Sequence, residues 1–589
     1  MSDEVDDEAD AETTPSTDTG GAVIGIDLGT THTLVSVLTD EGPVVLRDER
    51  GEALIPSAVA LDDEGTCLVG QAALERAARN PERSARWFKR DMGSDVPYAL
   101  GDVRMSPTEL SAVLLREART VAELALGEAV DRAVITVPAY FQEPQRAATM
   151  EAGALAGLEV MRVLNEPTAA AMAHGLQDAE TERSVAVLDL GGGTLDITLL
   201  EIYDGVIEVI ATGGDARLGG EDFTDALLAL AAAEAGMGDD AGWRRSLLRR
   251  ECERVKRALS QADAATLPLP DPTSPMWRTA RTLTVSRPAF EAACRPLLGR
   301  IRRCVSDALA AGGVAPESID EVLLVGGATH MTSVRALASS IFGRPAAEGP
   351  DPELAVALGA AVQAGLVTRH AAVRDVVVTD VLSHSLGVET AKVGEDRLLD
   401  GYFSPVLHRN TTIPVRRVER LYTMHPKQTE VVIKVYQGEH RYTRQNRLLG
   451  EFTVGGIPPL EGEEGQQSLD VAFTHDVNGL LEVEATVTST GETASILIEQ
   501  QAGRLTDAAR ARALASLARL KVHPRELLPN KLLLEAALSR HARLDPKSRG
   551  WLDPALTQFE EALAREQPER IEAAAVALRA ALEQVGEGA

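Results

Sequence analysis

The chain has 589 residues, 44% of them hydrophobic, which is more than one hydrophobic core usually organises, so several domains are expected. Its formal net charge of -30 disfavours a general nucleic-acid or anionic-membrane surface, because polyanions would be repelled over most of the protein. The sequence has no uncharged apolar run of the roughly eighteen residues that a membrane helix needs, and no basic-then-apolar N-terminus, so a cytoplasmic protein is expected. Its four scattered cysteines lack metal-ligand spacing and predict reduced thiols, with neither a disulfide framework nor a zinc site.

The N-terminal part of the chain divides into an acidic segment and a large α/β region. Residues 1–21 carry eight acidic side chains and no basic ones, with almost nothing apolar, and this composition predicts a disordered tail. Over residues 22–374, short β-branched runs alternate with stretches of helical period, which is typical of an α/β domain. The strand-like runs are Val23–Ile26, Val134–Val137, Val185–Leu188, Val206–Ile210 and Val322–Val325.

The rest of the chain changes composition twice. Residues 375–380 form an apolar strip between acids, which predicts a linker that docks against another surface. Residues 381–505 contain alternating runs such as Glu430–Tyr436, with Asn-Gly and Thr-Gly turn signals, and predict an antiparallel β domain. Helical spacing returns over residues 506–589, where Gly550 and several prolines predict a division into about four helices.

Two turns of the same design follow strand-like runs in consecutive α/β halves. They are Asp27–Thr31, Asp-Leu-Gly-Thr-Thr, and Asp189–Thr194, Asp-Leu-Gly-Gly-Gly-Thr. A strand that runs into an acid and then a glycine–threonine turn places successive backbone N–H groups on one side, and such nests bind phosphate oxygens. One copy is also ordinary turn chemistry, but two copies predict a nucleotide held between two lobes.

Five motifs in chain order carry a resemblance to a known family. They are Gly25–Thr31, Val137–Phe141, Asn165–Ala171, Asp189–Thr194 and Leu218–Phe223. Together they resemble the actin-like ATPase superfamily and, within it, the seventy-kilodalton heat-shock chaperones of the DnaK family. The resemblance implies an actin-like α/β ATPase of two ribonuclease-H-like lobes, followed by a β-sandwich peptide-binding domain and a short α-helical lid. It further implies an ATP-dependent molecular chaperone that binds extended apolar segments of unfolded polypeptides.

The resemblance also implies roles for the residues around ATP or ADP. Asp27 and Asp189 would hold Mg²⁺ through water, and Asp196 would complete the acidic cluster. Lys89 and Glu166 would orient the attacking water, and K⁺ ions would lie beside the phosphates. Thr30, Thr31 and Thr194 would contact the phosphates, with Thr194 at the terminal one. Further nucleotide-binding residues are the glycines of the two turns and of a third strand-following segment, Val325–Ala328: Gly29, Gly191, Gly192, Gly193, Gly326 and Gly327.

Lysine usage gives a second indication of the site. Before Lys392 the chain has thirty-two arginines but only two lysines, Lys89 and Lys256, and both stand at positions that the family uses. A compact ammonium is indicated at both positions, since a guanidinium fork is larger and differently shaped. Chance is the alternative, because only two residues are involved.

Adenine recognition is implied for one helix face, on which Glu253, Lys256, Arg257 and Ser260 recur at three- and four-residue spacing. Taken alone, such a face is also typical of a solvated helix surface. His330 stands where the family usually has an arginine stacked on adenine. Because imidazole carries less charge at neutral pH, we expect nucleotide binding that is weaker than is usual in the family.

The β domain lacks a cluster of acid, base and nucleophile, which favours a binding module. By resemblance, Val431 lies at the central pocket for the peptide, Leu421 and Ile433 line this pocket, and Ala391 and Met424 form an arch over the bound chain. The alternative is that such apolar residues are simply sandwich core.

Coupling between the two activities is also implied by resemblance. Pro138 and Arg146 would relay the nucleotide state, and residues 376–378, Val377 among them, would form a docking strip with Asp380. Thr379 replaces an apolar residue of this strip, so weaker docking is expected.

The expected partners besides polypeptide clients are a J-domain cochaperone and a nucleotide exchange factor. Arg162 stands where the cochaperone is sensed in the family, and an ordinary surface arginine is the alternative. Neither nucleic acid nor membrane is expected as a partner.

Several segments depart from the general DnaK pattern. Ser383-His384 stands where Thr-Pro is expected, and residues 392–403 are polar and longer than the usual hairpin. With residues 88–94, 422–428 and 478–483, these segments resemble the specialised HscC branch. A narrower set of clients is therefore expected.

Other classes of protein share part of this pattern. A sugar kinase of the same superfamily would have both phosphate turns but no use for a β domain behind a linker. An actin-like filament would need complementary surfaces along the lobes, which the acidic charge disfavours. A non-hydrolysing regulator would lose a catalytic group, yet Lys89, Glu166 and Thr194 are present. For the helical tail, a lid and a self-association surface are both compatible with the sequence.

Overall fold

The computed structural model describes residues 21–175, 182–203, 206–237, 243–271, 279–370, 372–373, 377–393, 398–460, 465–475, 481–498, 528–544, 546–564 and 568–586. Several segments singled out by the sequence fall wholly or partly outside these residues. They are residues 1–20 of the acidic tail, linker residues 375–376 with Val376, residues 394–397 of the polar stretch 392–403, the turn at 478–479, residues 499–505 of the β domain, and residues 506–527 of the tail. No helix in the described part is long and apolar enough to cross a membrane.

The first α/β half is built around a twisted sheet. Its elements are β1 (Val23–Leu28), β2 (His32–Thr39), β3 (Gly42–Val45), β4 (Ile55–Pro56), β5 (Ala58–Leu61), β6 (Cys67–Val69), α1 (Gly70–Arg79), β7 (Ser84–Arg86), β8 (Tyr98–Leu100), β9 (Val103–Met105), α2 (Pro107–Leu126), β10 (Arg132–Val137), α3 (Glu143–Leu155), β11 (Glu159–Asn165) and α4 (Glu166–Ala173). The main sheet has the order β11-β10-β1-β2-β3, with β4 paired to β2. The apolar run of β1 is buried, as expected for a central strand covered on both faces.

The second α/β half repeats the plan. Its elements are β12 (Arg183–Leu190), β13 (Leu195–Tyr203), β14 (Val206–Asp215), α5 (Gly220–Ala235), α6 (Trp243–Leu259), β15 (Ala264–Pro270), β16 (Thr279–Ser286), α7 (Arg287–Gly312), β17 (Glu321–Val325), α8 (Thr332–Phe342) and α9 (Ala355–Val367). In both halves the first strand is antiparallel to the next strand and parallel to a later one, β10 or β17. Asp27 and Asp189 therefore occupy equivalent positions near the ends of equivalent strands. All five strand-like runs of the sequence lie within strands, which confirms that prediction.

Helices α4 and α9 cross closely where the two halves meet. A Cβ atom on Gly359 of α9 would lie 1.7 Å from the carbonyl oxygen of Ala169 in α4. Small residues on both helices allow this approach, and one apolar cluster joins Val23 and Val134 of the first half to Val185 and other residues of the second. The two halves therefore share part of their core.

The β domain consists of two four-stranded antiparallel sheets. The strands of these sheets are β19 (Leu386–Val393), β20 (Leu398–Leu407), β22 (Val415–Tyr422), β23 (Val431–Gln437), β24 (Arg447–Val454), β25 (Ser468–His475), β26 (Leu481–Val487) and β27 (Thr493–Ile498). Two further strands, β18 (Val377–Val381) and β21 (Thr412–Ile413), extend the sheet of the second α/β half. The sheets have the orders β20-β19-β23-β24 and β22-β25-β26-β27. Val435, Phe473 and Val483 from both sheets are fully buried in one core, as alternating runs predict.

Strand β18 joins the β domain to the second α/β half. It pairs in parallel with β14, with Val377 opposite Val206 and Thr379 opposite Glu208. On its other edge, Asp380 is opposite Ile413 of β21. The described part of the linker therefore lies as a strand between two partners.

The described part of the helical tail contains α10 (Leu528–Arg543), α11 (Pro546–Ala564) and α12 (Pro568–Gly586). The prediction that Gly550 divides two helices is wrong, because Gly550 and Pro554 both lie inside α11. Leu552 and Phe559 of α11 are fully buried in a core with the other two helices. This packing outweighs the low helix propensity of Gly550 and Pro554.

We predict that Gly359→Ala destabilises the α/β halves by at least about 3 kcal/mol, because the new methyl group would collide with the backbone of α4. Gly299→Ala in α7 is the matched control, since a Cβ atom there meets nothing within 4 Å. The control should stabilise the protein by about 0.5–1 kcal/mol, as alanine loses less backbone entropy. Calorimetric unfolding of both variants provides the measurement, and equal stability of the two would contradict the close crossing.

We predict that Thr379→Val stabilises the docked linker by about 1 kcal/mol. The hydroxyl oxygen of Thr379 is buried and has no hydrogen-bond partner among the described residues. Valine has the same shape without that polar group. Amide hydrogen exchange of residues 377–381 should slow by about fivefold, whereas Thr488→Val, at an exposed position, should leave it unchanged. Faster exchange in Thr379→Val would show that the hydroxyl finds a partner.

Candidate active site

A cavity of about 540 Å³ lies between the two α/β halves. The predicted residues that line it are Asp27, Gly29, Thr30, Thr31, Lys89, Glu166, Asp189, Gly191, Gly192, Thr194, Glu253, Lys256, Arg257, Ser260, Gly326, Gly327 and His330. Two predicted residues do not line it. Asp196 is fully buried opposite Asp189 in the β12–β13 pair, and Gly193 packs against Thr30.

The two phosphate turns are in close contact with each other. A Cβ atom on Gly192 would lie 2.2 Å from Thr31 Cγ2, and one on Gly193 would lie 2.5 Å from Thr30 Cγ2. Gly326 has a φ of 81° and no room for a Cβ atom beside the backbone of β12. Glycine at these positions leaves the backbone N–H groups accessible to an anion.

Three buried carboxylates have shifted pKa values. Burial, reinforced by the nearby charge of Glu166, raises the pKa of Asp27 and of Asp196 to about 7. The same causes raise the pKa of Asp189 well above its usual range. A cation near these groups would remove the repulsion between them and restore their charge.

The donor set fits a hydrated Mg²⁺. Asp27 accepts a hydrogen bond from Thr136 Oγ1 at 3.2 Å, and Asp196 accepts one from Tyr140 N at 2.9 Å, so both carboxylates are held in place. Over the described ranges, no group of three or more His, Cys, Asp or Glu side chains is arranged to hold a metal ion. Mg²⁺ usually keeps several waters and takes phosphate oxygens, so carboxylates that are close together without forming a complete ligand set suit a hydrated ion.

Lys89 and Glu166 form a buried ion pair in the cavity. Lys89 Nζ donates a hydrogen bond to Glu166 Oε1 at 2.6 Å. Lys89 belongs to the 3₁₀ turn Phe88–Asp91, and Glu166 is the first residue of α4. Two groups from different elements are thereby fixed in the cavity that Thr194 also lines.

Lys256 uses all three of its donors inside the protein. It donates to Gly220 O at 2.8 Å and to Thr224 Oγ1 at 2.9 Å, and it pairs with Glu253 Oε2 at 2.6 Å. Both lysines of the arginine-rich region are therefore buried residues of one cavity. A planar guanidinium would not reproduce this compact set of contacts.

Glu253 is the centre of the α6 face. Burial alone would raise its pKa, but the ammonium of Lys256 and hydrogen bonds from Lys256, Thr224 and Arg257 outweigh burial and lower the pKa to about 2. Ser260 lines the cavity one turn further along. The face is thus part of the cavity, rather than a solvated helix surface.

His330 is one of the two exposed nucleotide residues predicted on the second half, with Arg257. It lies in a 3₁₀ turn after Gly326, and 42% of its side chain is exposed. Its Nε2 atom is 3.6 Å from Asp351 Oδ1. The ring therefore lines the cavity without a buried partner to fix it.

Sequence reasoning did not assign every residue that lines the cavity, and His32, Arg86, Trp87 and Glu221 are polar or aromatic examples. Burial and the nearby charge of Arg257 lower the pKa of His32 to about 4. Its position directly after the first phosphate turn was a usable signal, and Glu221 lies within the motif Leu218–Phe223. Arg86 and Trp87 follow no spacing rule and depend on how the two halves meet.

The predicted peptide-binding residues lie in or near the core of the β domain. Ile433 is 4% exposed within that core, and Leu421 and Val431 pack against it. Ala391 lies in β19, and Met424 is exposed at the end of β22. Three of the five residues therefore share one apolar cluster, an arrangement compatible with both the pocket and the sandwich-core interpretation.

Arg146 contacts the residue that precedes Glu166. It hydrogen-bonds the Oδ1 atom of Asn165, the residue before Glu166, and it lies 3.4 Å from Phe141 O. Pro138 is buried directly after β10. These contacts connect the loop at 138–146 to the start of α4.

The other residues predicted to couple the ATPase to the β domain lie outside the loop at 138–146. Arg162 of β11 is partly buried and donates to Gln363 Oε1 of α9 at 3.2 Å. Val377 and Asp380 lie in the docked strand β18.

The β domain also contacts the α/β halves beside the docked strand. His384 packs on the ring of Tyr140 with 4.7 Å between ring centres. Its Nε2 atom is 3.4 Å from Gln142 Nε2. Asn410 Oδ1 accepts a hydrogen bond from Thr212 N at 3.2 Å. Because Tyr140 also donates its backbone N–H to Asp196, the contact leads directly to the acidic cluster.

Two comparisons with known proteins agree with this arrangement. A family model described as Hsp70 protein matches residues 23–585. A curated relative from Thermotoga neapolitana, Chaperone protein DnaK, is 40% identical over 486 residues, which cover 81% of this chain and 80% of the relative. The family match includes both phosphate turns, the β domain and the helical tail.

We predict that His330→Arg binds ADP about fivefold more tightly, because a guanidinium stacked on the adenine ring contributes more to binding than an imidazole stacked there. Titration calorimetry on the full chain provides the measurement. His370→Arg is the matched control, since His370 also lies near an aspartate, Asp40, but does not line the cavity. Unchanged ADP affinity in His330→Arg would show that residue 330 does not limit nucleotide binding.

Proposed function

This chain belongs to the Hsp70 family, and from that premise we propose that ATP hydrolysis in its two α/β halves controls how tightly its β domain holds an extended apolar polypeptide segment. The proposed units are an actin-like ATPase of two ribonuclease-H-like lobes (22–374), a linker (375–380), a β-sandwich for peptides (381–505) and a helical lid (506–589). The pairing of β18 with both β14 and β21 carries this proposal.

The chain is an ATPase, and ATP or ADP with Mg²⁺ is its cofactor. We assign the phosphates to the interlocked turns, with Thr30 and Thr31 on one side and Thr194 at the terminal phosphate. Mg²⁺, when bound, neutralises phosphate charge beside Asp27 and Asp189. The shifted pKa values of these carboxylates support this assignment.

Lys89 and Glu166 are assigned to the attacking water. Phosphoryl transfer requires little covalent work from the protein, so the position of the water and the surrounding charge decide the rate. The buried pair offers an acceptor in Glu166 and a donor in Lys89, each held by the other. Thr194 adds a hydroxyl from the opposite half.

We assign peptide binding to the β domain. Val431 is the proposed central position, with Leu421, Ile433, Ala391 and Met424 around it. The shared apolar cluster of Leu421, Val431 and Ile433 supports an apolar client segment. An extended peptide would add backbone hydrogen bonds to these side-chain contacts.

We assign the coupling to the linker and the contacts beside it. ATP would draw the lobes together and favour docking of β18, whereas hydrolysis would release the strand and close the β domain on its client. Such control requires that nucleotide and peptide prefer different global states. Tyr140 supports this assignment, because it touches both His384 and the carboxylate of Asp196.

The finer features of the proposal concern partners and setting. Arg162 is the proposed contact for a J-domain cochaperone, and an exchange factor and K⁺ ions are further proposed partners. Ser383-His384 and the polar stretch at 392–403 support a specialised, HscC-like client range. A cytoplasmic location is also proposed. Family membership decides against the sugar-kinase and filament alternatives.

We predict that an apolar peptide stimulates steady-state ATP turnover by about fivefold or more. Thr194→Ala should lower hydrolysis by about 100-fold, because one transition-state contact is lost. Nucleotide binding should persist in this variant. Turnover of phosphate provides the measurement.

Thr194→Ser is the matched control, since it keeps the hydroxyl and should keep most of the activity. Peptide that binds without changing turnover would separate the ATPase from the β domain and contradict the proposed coupling. An unchanged rate of ATP hydrolysis in Thr194→Ala would show that Thr194 has no role in the transition state.

A further inference from the structure

Trp87 is an unusual residue in the wall of the cavity. Its backbone has a φ of 61°, and among the described non-glycine residues only Arg369 and Asn410 share a positive φ. A bulky side chain in this left-handed region costs about 1–2 kcal/mol. Its indole Nε1 is buried and has no hydrogen-bond partner among the described residues. Such strain persists only where other contacts compensate for it.

Two guanidinium groups compensate by stacking on the Trp87 ring. Arg86 Cζ lies 4.4 Å from the ring centre and Arg249 Cζ lies 4.7 Å from it. Arg86 and Trp87 belong to the first half, whereas Arg249 belongs to α6 of the second half. The Trp87–Arg249 contact therefore crosses from one half to the other beside the cavity.

Arg249 is itself held firmly on the second half. Its guanidinium pairs with Glu221 and Asp225 of α5. Only 14% of its side chain is exposed. Partial burial makes a cation–π contact stronger than at an open surface. The stack thus joins two preorganised surfaces rather than two mobile side chains.

Other contacts between the halves nearby are polar. Arg90 Nη2 donates to Asp222 Oδ2 at 2.7 Å, and Arg217 Nη2 lies 3.3 Å from Asp91 Oδ1. The side chain of Arg217 is 76% exposed, so salt screens its pair with Asp91. The Arg90–Asp222 pair is partly buried and forms a second link between the halves. The Trp87 stack depends less on salt than the Arg217–Asp91 pair.

We infer that the stack of Trp87 with Arg249 is a clasp that must open before nucleotide leaves the cavity. The inference rests on the proposed nucleotide site. Trp87, Arg86 and Glu221 line the cavity, so separation of the halves there breaks the stack and opens the cavity together. Trp87 is a positioning residue for bound nucleotide and takes no part in the chemistry. The clasp also compensates for the weaker nucleotide binding expected from His330, which is exposed on the second half.

The test is the rate at which a fluorescent N-methylanthraniloyl ADP leaves the full-length protein after mixing with excess ADP. Trp87→Ala should release it about tenfold faster, because the loss of a partly buried cation–π contact corresponds to about that factor. Trp87→Phe keeps an aromatic ring and should stay within about threefold of the unaltered protein. Trp551→Ala, at an exposed position in α11, is the matched tryptophan control and should not change release.

Two further measurements separate the clasp from other roles of Trp87. Trp87→Gly removes the ring and also relaxes the left-handed backbone, and it should release nucleotide as fast as Trp87→Ala. Single-turnover hydrolysis by Trp87→Ala separates an effect on release from an effect on the neighbouring Lys89–Glu166 pair.

The possible failures are distinguishable. If the unaltered protein binds no nucleotide, the proposed function fails. If it binds nucleotide and Trp87→Ala releases it at the unaltered rate, the clasp is overturned while the ATPase stands. Slow hydrolysis with unchanged release would instead make Trp87 a support for Lys89, and slow release in Trp87→Gly alone would assign the effect to backbone strain. Both results contradict the clasp.

Discussion

The docked linker strand is the constraint on which the relation between the α/β halves and the β domain depends. The backbone of β18 pairs with β14 on one edge and with β21 on the other. Buried backbone groups must find partners, so separation of β18 from β14 would leave the backbone N–H and C=O groups of both strands unpaired along that edge. The position of the β domain is therefore tied to the state of the second half through main-chain hydrogen bonds.

The cavity follows from duplication of one strand plan. Because β1 and β12 occupy equivalent places, their acids and glycine turns approach each other from opposite halves. The result is a concentration of buried carboxylates that is unfavourable by itself, as the raised pKa of Asp27 indicates. Such a site is stable in its charged form only with cations present. The backbone N–H groups of the turns supply the complementary surface for phosphate.

Local sequence patterns predicted the parts of this protein that depend on neighbouring residues. The strand runs and the glycine–threonine turns belong to this class, because each is encoded within a short stretch. The two buried lysines were found differently, from their rarity in an arginine-rich region. The Gly550 prediction failed since the packing of Phe559 and Leu552 overrides local propensity. The contact of Trp87 with Arg249 joins residues 162 positions apart through the meeting of two halves. No periodicity or spacing encodes such a meeting.

In the proposed function, ATP binding and linker docking are linked. Arg249 lies against Trp87, and β18 pairs with the sheet of the half that carries Arg249. If docking of β18 favours closed halves, a docked linker tightens ATP binding, and bound ATP strengthens docking by the same factor. Thr379 weakens one side of this linkage, because its buried hydroxyl lacks a described partner. The proposed clasp at Trp87 acts on nucleotide binding instead. It would therefore retain nucleotide while the linker exchanges between its docked and released states.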